Sequence, residues 1–242
     1  MIRPSLQTLG IALLAASPLI ASAQLTANVS LTSNYKFRGQ DQDLGRSGGF
    51  KPALQGGFDY AFGDSGFYVG NWNSTVNWLP GNSLESDFYG GYKFKAGEVD
   101  LDVGALAYVY SGNRSGNTTE LYGAATYGPL TAKYSHTVSE DYFGYAGART
   151  SNRSGRNTGY LNLAFAQEIA PKTTLKAAVG YTRFAGDIKA LGVPNYVDYS
   201  VGAAYDLGDG LSLGAAVVGA TKKAFFGDPN KARLIVSLTK TL

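Results

Sequence analysis

Cysteine is absent from the 242-residue chain, and histidine occurs once, at His136. Those scarcities exclude disulfides, thiolate metal sites and a lipid-modified cysteine, and one imidazole among dispersed carboxylates makes no ligand set; neither a metal nor a cofactor is expected. They do not exclude an oxidising compartment, because a closed barrel is held by an unbroken hydrogen-bond ladder and needs no staple. Beyond the first 23 residues no stretch approaches about 18 consecutive apolar residues, which excludes a transmembrane helix. Lysine and arginine are scattered and the formal charge is only +3, so the chain lacks the concentrated basic face that a nucleic acid needs. Proline numbers 8, and no Pro/Ser-rich or charged stretch offers a linker, so a single domain is expected. None of the glycine-rich pieces opens a helix or ends in Lys-Ser/Thr, which removes the phosphate-loop reading.

What is present is glycine, at 32 residues, with 17 tyrosines and 12 phenylalanines. The first 23 residues stand apart: Arg3 supplies a positive start, Leu9 to Ile20 is mostly apolar, and Ala21-Ser22-Ala23 is a small-residue cleavage site before Gln24. This reads as a signal peptide at 1–23, with the domain at 24–242. After it the chain alternates with period two. In the first segment Leu25, Ala27, Val29, Leu31, Tyr35 and Phe37 share one parity, and Thr26, Asn28, Ser30, Thr32, Asn34, Lys36 and Arg38 the other. One face suits lipid and the other water.

About 12 such segments are expected, at 24–38, 50–62, 66–78, 83–95, 98–110, 118–127, 130–139, 157–169, 174–184, 196–207, 211–222 and 231–242, each near the 9–11 tilted residues that cross a bilayer. Tight turns such as Gly63-Asp64-Ser65, Gly128-Pro129 and Gly208-Asp209-Gly210 alternate with longer polar connections, the longest from Glu140 to Arg156. That rhythm is the one an outer-membrane barrel shows, short turns on the periplasmic side and loops outside. A secreted sandwich would also alternate, but has no reason to keep the rhythm or to gather aromatics near segment ends, as Phe37, Phe62, Trp78, Phe94, Tyr110, Tyr127 and Phe184 gather. The expected fold is all-β: a transmembrane, antiparallel, up-and-down β-barrel.

Ser33-Asn34-Tyr35 with Arg38-Gly39 and Gln42, Pro52 to Tyr60 (PALQGGFDY), Gly66-Phe67-Tyr68-Val69-Gly70 with Trp72, and Glu85 with Asp87, Tyr89 and Gly91-Tyr92 together resemble the TorF-type porin family of proteobacteria. The resemblance covers essentially the whole chain after residue 23. It implies an outer-membrane barrel with a transport role. One departure is the last residue, Leu242, where such barrels usually end in an aromatic, although Leu234, Val236, Leu238 and Leu242 keep the alternation.

For a channel, function sits on the water-facing parity. Arg38, Gln55, Asp59, Glu85 and Asp87 are the candidates for a constriction of opposed charges on neighbouring early strands; Lys51, Asp102, Glu120, Lys133 and Asp198 share that parity, and any of these charges can instead pair across a narrow interior. Arg149, Arg153 and Arg156 form a basic cluster in the longest loop, which either meets lipopolysaccharide phosphates, folds inward, or stays solvated. His136 invites comparison with barrel lipid hydrolases, but Ser135 points to the opposite face and cannot pair with it directly. The expectation is therefore an exported outer-membrane channel for passive diffusion of small polar or ionic solutes, with outer-membrane lipid, lipopolysaccharide and the export and barrel-assembly machinery as partners. A lipid-modifying barrel enzyme and a closed structural or adhesive surface barrel are the alternatives.

Overall fold

A computed structural model describes residues 25–46 and 48–242; the expected leader at 1–23 lies outside the described residues. In chain order the strands are β1 (Leu25–Thr32), β2 (Lys36–Phe37), β3 (Gln40–Asp41), β4 (Ala53–Ala61), β5 (Phe67–Thr75), β6 (Leu84–Ala96), β7 (Val99–Val109), β8 (Thr118–Tyr127), β9 (Leu130–Thr137), β10 (Gly159–Ala170), β11 (Thr173–Arg183), β12 (Tyr196–Gly208), β13 (Leu211–Ala220) and β14 (Arg233–Thr241). Among the described residues two short α-helices, α1 (Gly186–Ala190) and α2 (Lys223–Phe226), lie in connections. β2 and β3 pair only with each other; the other twelve close into one barrel. All neighbours in it are antiparallel, and β1 closes the ring with Leu31 opposite Leu54 of β4 and Leu238 of β14. Among the described residues, closure leaves the barrel itself no free strand edge.

The two parities separate as the alternation predicts. Leu31, Leu54, Phe58, Val69, Phe88, Val103, Leu121, Leu163, Val201 and Leu238 point outward and are exposed, while Gln55, Ser74, Glu85, Asp87, Glu120, Thr137 and Thr182 point inward and are buried. Soluble proteins place these residue types the other way round, and a sandwich would cover the large apolar side chains between its sheets. Lipid is the surrounding that lets such a surface stand.

The tight turns gather at one end. Gly97–Glu98, Gly128–Pro129, Pro171–Lys172 and Asp209–Gly210 each join directly paired residues, and Gly63–Ser65 lies between β4 and β5. Asp209 and Gly210 have φ of 51° and 76°, the left-handed pair that matches the twist of two-residue hairpins. The other end carries the connections 33–52, 76–83, 110–117, 138–158, 184–195 and 221–232.

Two expectations are corrected. The first segment was expected to run straight to residue 38, but its strand stops at Thr32 and the chain turns into the barrel, so Tyr35 faces inward and is buried, and Phe37 packs on interior rings. The aromatic girdle is as expected only at the turn end, where Phe62, Phe94 and Tyr127 are exposed; at the loop end Trp78, Tyr110 and Phe184 turn into the interior clusters, and Tyr134, Tyr181 and Tyr199 stand outside instead. A twelve-stranded ring explains the inward traffic. Eight strands leave just enough room for their own side chains and sixteen leave a water channel, so twelve leave a bore that extra chain can enter.

Candidate functional site

After Thr32 the chain leaves the wall, and the Thr32 hydroxyl donates to the Asn34 carbonyl at 2.9 Å to fix the bend. Phe37 and Gln40 then pair across a two-residue tip, Arg38–Gly39, whose φ values of 47° and 76° are those of a type I′ hairpin. Glycine is required at the second tip position: a Cβ there would lie 2.6 Å from the Gly219 carbonyl oxygen and 2.7 Å from the Asp198 Cβ. The hairpin β2–β3 therefore reaches from the β1 side of the barrel to seat its tip on β12 and β13.

Ion pairs tie it down. Arg38 grips Glu120 of β8 with two bonds, Nη1 to Oε1 at 2.9 Å and Nη2 to Oε2 at 2.7 Å, and donates to the Tyr142 hydroxyl at 2.8 Å. Its guanidinium lies 4.1 Å from the centre of the Tyr160 ring. At the base of the hairpin buried Asp41 meets three cations, Lys36 at 2.9 Å, Lys51 at 3.3 Å and Arg233 at 3.1 Å. Burial pushes the Lys36 ammonium below its ordinary value, and the Asp41 carboxylate opposes that shift.

The 138–158 connection covers the hairpin from above. Phe143 packs edge-on against Phe37 and Tyr108, and the Tyr145 hydroxyl donates to Gln40 Oε1 at 2.9 Å. Burial raises the phenols of Tyr142 and Tyr145, keeping both as neutral hydroxyls, the first accepting from Arg38 and the second donating to Gln40. Asp141 holds this loop in shape by accepting the backbone N–H groups of Tyr142, Ala146 and Ala148.

Toward the turn end the bore changes character. Asp59 accepts from Tyr89 at 2.7 Å; Asp102 accepts from Tyr68 at 2.8 Å, and Tyr68 is hydrogen-bonded to Tyr122. Lys93 lies over the Tyr68 ring and Lys133 over the Tyr122 ring, at 4.7 and 4.0 Å. The facing wall carries small residues, among them Ser200 and Gly202 of β12, Gly214 of β13 and Ser237 of β14. In this half Asp59, Lys93, Lys133 and Gly202 keep partial exposure although Tyr68, Asp102 and Tyr122 are buried, whereas Gln55, Glu85, Glu120 and Thr182 in the loop half are all buried. The bore is filled toward the loops and keeps some partly exposed polar side chains toward the turns.

The five proposed constriction residues do not form one ring. Arg38 pairs with Glu120 and not with an early-strand acid. Gln55 and Glu85 share a row through Ser74, Asp87 sits in the next row opposite Trp72, and Asp59 lies a further row toward the turns, bonded to Tyr89. Arg149, Arg153 and Arg156 are exposed on the part of the long loop that stays outside. His136 is half-buried on the outward face, near the Tyr134 hydroxyl (Nδ1, 3.3 Å) and donating from Nε2 to Asn157 Oδ1 (3.1 Å), while Ser135 is buried on the inward face. Sequence reasoning missed Asp41, Tyr142, Phe143, Tyr145 and Arg233, and placed Tyr35 on the wrong face. Only the hairpin left a signal: an Arg-Gly dipeptide near the end of a first segment some 15 residues long, where about 11 suffice to cross.

A family model described as "Bacterial protein of unknown function (Gcw_chp)" matches residues 15–241. No curated protein matches the sequence. Among solved structures, "KdgM porin" is similar with a TM-score of 0.57 at 10% identity, covering 89% of this chain and 98% of that one. The same porin "in complex with disordered oligogalacturonate" gives 0.56 at 10%, with the same coverage. The NanC porin gives 0.55 at 11%, covering 90% and 98%. At such identities the likeness is one of fold.

Proposed function

The chain belongs to the Gcw_chp family of bacterial proteins of unknown function, and from that premise we propose that it is an outer-membrane channel for passive diffusion of small polar or ionic solutes. The observation that carries this reading is the inverted barrel: an exposed apolar exterior around an interior lined by charged, hydroxyl and amide side chains. The porins of like fold support it, and the resemblance of the segments around Arg38-Gly39 and Glu85 to TorF-type porins points the same way. Export through a signal peptide at 1–23, and lipopolysaccharide phosphates meeting exposed Arg149, Arg153 and Arg156, belong to the same proposal.

In this mechanism solutes pass between the loop mouth and the turn half by way of the hairpin β2–β3, which its ion pairs hold in the path. The oligogalacturonate held by a porin of like fold makes small acidic saccharides one solute class to assay. Acidic Glu85, Asp87 and Glu120 lie in the filled half alongside basic Arg38 and Lys36, so the bore is not built for anions alone. The filled loop half favours one second reading, a closed surface barrel with no conduction. Single-channel recording separates the two: discrete current steps from the refolded protein support the channel, and silence from a folded, heat-modifiable barrel supports the closed form.

A further inference from the structure

Glu85 and Asp87 follow one another on the inward parity of β6 and are both buried, at 1% and 3% exposure. Among the described residues no Lys or Arg ion pair reaches either. Their neighbours differ: Glu120 has Arg38 and Asp41 has three cations. Glu85 accepts from the Tyr35 hydroxyl through Oε1 at 3.2 Å and has the Tyr110 hydroxyl beside it, while its Oε2 and the Asp87 Oδ1 make no hydrogen bond of normal geometry among the described residues.

A third orphan oxygen lies on the same patch of wall. Gln55 of β4 stands in register with Ser74 of β5, which stands in register with Glu85. Gln55 is 2% exposed; its Nε2 donates to Ser74 Oγ at 3.2 Å, which carries the amide tip toward Glu85, and its Oε1 is without a partner. Two buried carboxylates with no cation beside them are costly, and a buried amide oxygen left unpaired adds to that cost. A proton on one carboxylate would relieve one oxygen and leave the others as orphans. A cation relieves all three.

We propose that Glu85, Asp87 and Gln55 form a binding site for a hard divalent cation of the calcium type inside the bore. All donors are oxygens, which selects hard cations over zinc or copper, and two carboxylates match a charge of two. Calcium fits better than magnesium because its longer bonds and variable coordination tolerate ligands spread over rows of two strands. The site depends on the channel reading only for the route by which the ion arrives.

The test uses the refolded protein in detergent, with terbium as the probe and excitation through tyrosine, since Tyr35 borders the site. Sensitised emission that calcium displaces is expected, with binding at least about tenfold weaker in the Glu85→Gln/Asp87→Asn double variant. Added calcium should raise the unfolding temperature of the wild type and leave that of the double variant unchanged. Emission that persists in the folded double variant, or none from the folded wild type, overturns the site. Neither measurement needs current: a barrel that binds terbium but never conducts loses the channel and keeps the site, and one that conducts without terbium emission does the reverse.

Discussion

Arg38 and Glu120 stand 82 residues apart in the chain and meet inside the barrel through two parallel hydrogen bonds of 2.9 and 2.7 Å. This pair turns a loop into a fixed obstruction. Both partners are buried, so each alone would be a charge stranded away from water. Replacing Arg38 with Met should destabilise the barrel by about 3–5 kcal/mol, the cost of a buried ion left without its partner. The double variant Arg38→Met/Glu120→Gln should recover most of it. Urea unfolding in lipid vesicles measures the cycle, and additivity of the two single effects would contradict the pairing.

Gly39 supplies a second handle on the same hairpin. Its φ of 76° and the Gly219 carbonyl 2.6 Å from any added Cβ mean that Gly39→Val cannot seat the tip. The expected result is a larger and noisier single-channel conductance, with a loss of stability no greater than that of Arg38→Met, since the barrel strands themselves are untouched. An unchanged conductance would show that the tip does not limit the path.

Because the chain has no cysteine, a Gly39→Cys/Ala220→Cys pair would be unambiguous. The two Cβ atoms would start 2.9 Å apart, so a small withdrawal of the tip brings them to disulfide spacing. Under oxidation the conductance should stay at its lowest level, and a reductant should release the tip and raise the conductance toward that of Gly39→Val. A redox-insensitive current places the path elsewhere.

The outer face makes its own prediction. Val201 lies near the middle of β12, exposed and opposite Val217 and Ala177. Val201→Arg should cost about 2–4 kcal/mol in a bilayer, as a charge facing lipid at mid-depth does. A variant as stable as the wild type would contradict the lipid-facing assignment.

The barrel was legible because its information is local. Period two sorts Leu31 from Thr32 and Leu54 from Gln55 without knowledge of any partner, and turns such as Asp209–Gly210 announce themselves by residue type. The site was not legible, because its information is in pairs. Nothing near Arg38 names Glu120, and nothing near Asp41 names Arg233. Tyr35 and Phe37 keep the parity of Leu31 in sequence, yet the bend after Thr32 takes them off the wall, so parity stops meaning lipid against water. Trp78, Tyr110 and Phe184 failed in the same way: an aromatic at a strand end suits a membrane interface and a half-filled mouth equally well.

Single-channel recording on the refolded protein, beside a variant whose hairpin residues 34–42 are replaced by a short Gly-Ser link, tests the channel account most directly. The account predicts discrete steps from the wild type, larger steps from the shortened variant, and no change on His136→Ala. Silence from both folded barrels, with heat-modifiable migration confirming the fold, would contradict it.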